Sequence, residues 1–206
     1  MASLARVEHN LVLTGHGVRL EPLSAEHAAG LAPLVDAEMW RGMTSPLPDD
    51  EAAMAAHVER LVATPAMVAF AVRDECADDS PVVGVTTYYD VAHAMGRCEI
   101  GNTFYGRAVW GTHVNPAAKL LLLEHAFEDW GLARVALRGD ARNARSLAAM
   151  RKLGARYEGT LRDHRVSSDG TRQDTVYFSI LAAEWPAVRD GLLARLGDKD
   201  SVTTPV

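Results

Sequence analysis

Two short turns carry residues suited to holding phosphate. The first is "WGTHVN", Trp110 to Asn115, between a strand-like run that ends at Val109 and a strongly apolar helix. The second is "DARNARS", Asp140 to Ser146, again between a strand and a helix. A helix start offers unpaired N–H groups and the positive end of a dipole, and both suit an anion. Phosphate cradles usually carry two or three glycines. Here Gly111 stands alone, and His113 occupies the place of a second. Backbone N–H groups bind the phosphate and glycine mainly makes room, so the turn is still expected to bind. An imidazole lying near the phosphates would be favoured in its charged form. Taken alone, each turn reads first as a structural cap: Asn115 and Asn143 are ordinary N-cap residues, with Pro116 at the first helical position.

Other chemistry finds less support. "GHGVRL" begins like GxGxxG but lacks the third glycine and precedes a strand, which argues against a dinucleotide fold. GxxxxGK[ST], HExxH and GxSxG are absent. The eight histidines are scattered, so no metal site is expected. Cys76 and Cys98 form no CxxC pair, and neither has a histidine nearby in sequence.

Periodicity then supplies the elements that must position the two turns. A strand covers Val18 to Glu21, and Ser24 caps a helix through about Val35. "WRGMTSPLPDD" reads as a loop, and Asp49 or Asp50 starts a second helix ending near Ala63. "MVAFAVRD", "VVGVTTYYD" and "RCEIGNTFYGRAVW" read as strands, the last two paired. The helix after the first turn repeats apolar residues at Leu120, Leu123, Phe127 and Trp130 and stops at Gly131. "ARVALRG" is a short buried strand. "NARSLAAMRKLG" is a helix with Leu147, Met150 and Leu153 inward and Gly154 as its stop. Two strands joined at "SSDG" and a last helix follow. This order implies an α/β fold, a mixed sheet with helices on both faces. A single domain over residues 1–198 is expected, with a flexible tail over 199–206.

Bulk properties narrow the partners. The chain has 206 residues, 48% of them hydrophobic, enough for one sizeable core. A formal charge of -6 with no basic block argues against nucleic acid and anionic membranes as partners. No apolar run approaches the ~20 residues of a membrane span, and the first ten residues lack the apolar stretch of a signal peptide. Two cysteines without a disulfide framework fit a reducing compartment, so a cytoplasmic location is expected.

Taken together, the segments resemble the GNAT superfamily of acyl-CoA N-acyltransferases, specifically its RimJ/RimL-type branch. The resemblance runs from about Leu13 to Leu196. It rests on "LTGHGVRLEPLSAEHAAGLAPL", "EIGNTFY", "WGTHVNPAAKLLLLEHAF", "RQDTVYFSILAAEW" and above all "ARNARSLAAMRKLGARYEGTLRDH". It implies a mostly antiparallel sheet in which two adjacent parallel strands splay apart. Acetyl-CoA would be the co-substrate, with no metal. Its pantetheine arm would lie in the gap along the strand near Phe104, Tyr105 and Val109. Its pyrophosphate would lie on the N–H groups of Gly111, Thr112, His113, Val114 and Asn115, with Trp110 also a cofactor contact. Asn143 and Ser146 would meet the pantetheine and thioester end, and Arg151 and Lys152 the nucleotide phosphates.

The resemblance also implies roles. Acyl transfer needs a neutral amine, an oxyanion donor and help for the leaving thiolate, whose reference pKa is near ~8.5. Glu99 is the candidate base. Ser146 is the candidate donor to the thiolate, because Met150 stands where many members carry a tyrosine and methionine cannot donate a proton. Tyr105 and Tyr157 stand behind it. Trp40 and Met43 are candidates for a pocket wall, and of Tyr88 and Tyr89 only one can face the cleft. An α-amine, with a pKa near ~8, needs less help than a lysine near ~10.4. A protein N-terminal amine is therefore the first expected acceptor. A small-molecule amine and a non-catalytic acyl-CoA-binding module are the alternatives, and a homodimer is an open expectation.

Overall fold

The structure, a computed structural model, describes residues 9–200. Helix and strand starts follow local chemistry. Asp50 caps α3 (Glu51–Ala63), its carboxylate accepting from the Ala53 N–H at 2.7 Å. Asn143 caps α5 (Ala144–Leu153) by accepting from the Ser146 N–H, and Gly154 ends that helix at φ 94°. Ser24 opens a short helical stretch that includes α1 (Ala28–Leu31).

The eight-stranded sheet runs in the order β1-β2-β3-β4-β5-β6-β8-β7. Its strands are β1 (Leu13–Gly15), β2 (Val18–Pro22), β3 (Val68–Asp74), β4 (Val82–Ala92), β5 (Arg97–Tyr105), β6 (Arg134–Asp140), β7 (Arg156–Val166) and β8 (Arg172–Leu181). Every neighbouring pair is antiparallel except β5 and β6. Two apolar clusters cover its two faces. Val68, Phe70 and Val72 of β3 face α4 (Val114–Glu124), α5 and α6 (Trp185–Asp200). Ala69 and Ala71 point the other way, against α1, α2 (Ala37–Trp40) and α3. The alternation of one strand thus builds two cores, as the expected mixed sheet requires.

Five boundaries differ from the sequence reading. β1 is too short to show a period. α2, not expected, precedes the loop and takes in its first residue, Trp40, because Asp36 caps it by accepting from the Met39 N–H at 2.9 Å. β5 stops at Tyr105, not Trp110: Gly106 turns the chain and Arg107–Val109 form a 3₁₀ turn. α4 begins two residues early, so His113 is its N-cap and Asn115 lies in its first turn. At the other end, α6 continues to Asp200, and residues 201–206 of the expected tail lie outside the described residues. No helix among the described residues is long and apolar enough to cross a membrane.

Candidate active site

The site begins with a defect in strand pairing. β5 and β6 pair in register over four positions, from Arg97 opposite Arg134 to Ile100 opposite Leu137. Beyond that, Arg138, Gly139 and Asp140 of β6 pair only with β8, while Gly101, Phe104 and Tyr105 of β5 pair only with β4. A bulge at Asn102, with φ 45°, bends β5 away. The facing edges of the two strands are left without each other. Unpaired backbone edges inside a sheet invite an extended ligand rich in amides.

Each face contributes one candidate group. Ser146 lies on the α5 face. Its Oγ is 3.4 Å from where a Cβ on Gly139 would stand, so Gly139 leaves space beside the hydroxyl at the open stretch of β6. Glu99 lies on the opposite face and is buried at 8% exposure. Arg138 Nε is 3.4 Å from its Oε2, yet that oxygen makes no hydrogen bond. Tyr89, opposite Glu99 in the register, sits against it. Burial, then the Glu99 charge, push the Tyr89 phenol well up, so it stays protonated. Arg138 also stacks on Tyr89 at 4.9 Å and donates to Tyr177 Oη at 2.7 Å. Beside the gap in the sheet, this buried carboxylate oxygen thus has an ion-pair contact and no hydrogen bond.

At the far end of β6, a cleft of about 270 Å³ is lined by Glu38, Met39, Arg41, Gly42, Trp110, Asp140, Arg142 and the start of α5. The segment that follows Gly42 is tied to the β7–β8 hairpin. Ser168 donates its N–H to the Met43 carbonyl at 3.2 Å, and Arg165 donates to Thr44 Oγ1 at 3.1 Å. The two turns also touch: the Arg145 guanidinium lies 3.4 Å from the Trp110 ring centre, and Arg107 lies 4.7 Å from it. Trp110 Nε1 donates to the Tyr105 carbonyl at 2.7 Å, which holds the ring at the end of β5.

The structure brings Trp110 and the start of α5, with Asn143, together at one cleft and sets Ser146 beside Gly139, while Glu99 lies on the opposite face against Arg138 and Tyr89. Other expected residues sit differently. Gly111 has φ 76° and nothing within 4 Å of an added Cβ, so its backbone, not crowding, demands glycine. The Thr112 N–H is taken by the Val109 carbonyl, and that of Val114 by Thr112 Oγ1, so two of the expected phosphate donors are already engaged. His113 turns its ring away, with Nε2 3.3 Å from Asp74 Oδ1. Val109 packs against the core from the 3₁₀ turn, off the strand. Arg151 stacks over Phe178 of β8, on the far side of β6 from the gap, and both it and Lys152 are exposed.

Trp40 is a core residue. It is 1% exposed, packs edge-on against Phe104 and His57, and donates to the Ser45 and Pro46 carbonyls. Its neighbours Glu38, Met39 and Arg41 line the cleft in its place. Tyr88 points into the α4 core and donates to the Leu122 carbonyl, so Tyr89 is the tyrosine on the Glu99 face. Tyr105 is buried on the α4 side, and its hydroxyl has no partner. Tyr157 stands exposed on the outermost strand, away from the gap. Sequence reasoning missed Arg138, whose signal was an arginine inside a strand read as buried, and Arg145 and Arg165.

Comparison with known proteins agrees with this geometry. A family model described as "Acetyltransferase (GNAT) domain" matches residues 18–156. A putative ribosomal N-acetyltransferase, YdaF of Bacillus subtilis (strain 168), is 30% identical over 107 residues, 52% of this chain and 57% of that relative. The match thus spans little more than half the curated relative's length. A putative acetyltransferase from T. thermophilus superposes with a TM-score of 0.85 at 36% identity, covering 92% of this chain and 99% of that one. Another putative acetyltransferase gives 0.83 at 35% identity, with 95% and 96% coverage. The matched domain spans β2 to the start of β7 and so encloses the splayed strands, Glu99 and Ser146, and the chain belongs to the GNAT acetyltransferase family.

Proposed function

We propose that this protein transfers an acetyl group from acetyl-CoA to a protein or peptide N-terminal α-amine. One observation carries the reading: β5 and β6 part just beyond Ile100 and Leu137, with Ser146 beside Gly139 on one face and Glu99, in the last paired stretch, presenting an oxygen without a hydrogen bond on the other. In this reading the pantetheine arm pairs with the open edge of β5 as an added strand, and the thioester reaches the gap from the Ser146 side. The amine enters by the cleft beneath Met43 and Thr44. Glu99 takes its proton, directly or through one water, as the nitrogen attacks the thioester carbon. N–H groups of the open β5 edge face the developing oxyanion. The C–S bond then breaks, and Ser146 donates a hydrogen bond to the departing thiolate.

The acceptor class follows from how little base the site holds. An α-amine, with a reference pKa near ~8, is partly neutral at pH 7 and needs only one carboxylate. A lysine near ~10.4 needs more. The name of the Bacillus subtilis relative, a putative ribosomal N-acetyltransferase, points the same way. The test is thiol release from acetyl-CoA with matched acceptors. A peptide with a free N-terminus is expected to react at least roughly tenfold faster, in kcat/KM, than the same peptide with a blocked N-terminus and an internal lysine, the sense expected from the two pKa values. A small amine that outpaces both would replace this reading with a small-molecule acetyltransferase.

A further inference from the structure

Away from the gap, at the end of β3, three side chains of different chemistry converge. They are Asp74, Cys76 and His113, and one ligand atom from each lies within 4.8 Å of the others. His113 Nε2 is 3.3 Å from Asp74 Oδ1 and 3.4 Å from the Gly17 carbonyl oxygen. A Cβ on Gly17 would stand 2.3 Å from Cys76 Sγ and 3.1 Å from His113 Nε2. Thiol and imidazole therefore share the space above Gly17, and only glycine leaves it. Gly17 also has φ 72°, a second reason for that residue.

The backbone is folded to make this meeting. Asp74 Oδ1 accepts from the Cys76 N–H at 3.0 Å, which turns the chain so that the thiol returns over the carboxylate. Glu75 donates its N–H to the Gly17 carbonyl at 2.9 Å, which holds that turn against the β1–β2 hairpin. His113 arrives from the N-cap of α4. The carboxylate is buried, the imidazole half-buried and the thiol exposed, so an ion could enter from solvent.

A thiolate, an imidazole and a carboxylate form the donor set of a tetrahedral zinc centre with one position left to solvent. Metal–ligand bonds of ~2.0–2.3 Å place tetrahedral ligand atoms about 3.3–3.8 Å apart. The Asp74–His113 distance already falls there. Calcium or magnesium would want more oxygens.

We propose that Asp74, Cys76 and His113 bind a thiophilic divalent cation of the zinc type. The expectation of no metal came from scattered histidines, whereas here His113 lies far in sequence from Asp74 and Cys76 and only the fold gathers the three. Because His113 caps α4, the ion would tie the Gly111–Asn115 turn to the end of β3. That consequence rests on the acetyl-CoA reading; the binding itself does not.

The test uses the full chain without an affinity tag, stripped by a chelator and titrated with Co²⁺. The expected result is a single tight equivalent, with the strong visible bands of tetrahedral cobalt and a thiolate-to-cobalt charge-transfer band, displaced by Zn²⁺. Cys76→Ser, at an exposed position, should erase the charge-transfer band and weaken Zn²⁺ binding by roughly tenfold or more. His113→Gln should weaken it by a similar factor. A weak octahedral spectrum, or Zn²⁺ affinity unchanged in Cys76→Ser, would overturn the proposal and leave an ion pair beside a bystander thiol.

Discussion

Ser146→Ala is expected to lower kcat by roughly 10–10³-fold while leaving acetyl-CoA affinity within a few-fold. The hydroxyl stands beside Gly139 at the open stretch of β6, where a leaving thiolate would emerge. Its backbone N–H, by contrast, belongs to the Asn143 cap and survives the substitution, so the helix stays in place. Glu99→Gln removes the proposed base and should cost kcat/KM ~10²–10⁴-fold, the range for lost general acid–base help. Its remaining rate should track only the neutral fraction of the acceptor amine. Steady-state kinetics across pH, with acetyl-CoA affinity measured separately, checks both. Wild-type rates in both variants would show that positioning and desolvation suffice and that neither side chain does chemistry.

The second large effect lies in the core. Lys119 of α4 is buried against Thr86 and Thr103, donating to their hydroxyls at 3.4 and 3.2 Å. No carboxylate pairs with it in these contacts. Burial pushes its ammonium down to about 7 from 10.5. Between those values the unfolded chain binds more protons than the folded one, so stability rises with pH across that window. Below about pH 7 both states are protonated and the whole penalty remains. Lys119→Met keeps the volume and removes the charge. Thr86 and Thr103 already bond to each other at 2.8 Å, so neither hydroxyl is orphaned. The variant should be more stable than wild type by about 2–5 kcal/mol at pH ~6, the upper end being the full displacement of the pKa. That advantage should shrink as pH climbs towards ~10. Urea melts at a series of pH values check this. A variant less stable than wild type, or a difference flat with pH, would mean that the two hydrogen bonds outweigh the buried charge.

How far the sequence spoke depends on how local the chemistry was. The Asp50 and Asn143 caps and the Gly154 stop are written within a few residues of the helix ends they serve, and each was legible. So was the alternation in β3 that places helices on both faces. The end of β5 was not, because Gly106 and the 3₁₀ turn after it follow an apolar run that continues in composition to Trp110. Trp40 looked like a pocket wall because a tryptophan in a loop reads as exposed. The Asp36 cap and the carbonyls of Ser45 and Pro46 instead fold that segment over the ring and bury it. Long-range pairing was the least visible. His113 turns to Asp74, and Glu99 meets Arg138 across parallel strands, through contacts that no spacing rule encodes.

If the splayed β5–β6 edge and the start of α5 form an acyl-CoA site, thermal unfolding with and without acetyl-CoA tests it most directly, with adenosine as the comparison. Acetyl-CoA should raise Tm with increasing concentration by mass action. Adenosine, which lacks the pantetheine arm, should do much less. A large insertion at the gap, Gly139→Val, should abolish most of the acetyl-CoA shift without removing the folding transition. No shift for the wild type with millimolar acetyl-CoA would contradict the account, and with it both the acetyltransferase reading and any acyl-CoA-sensing role.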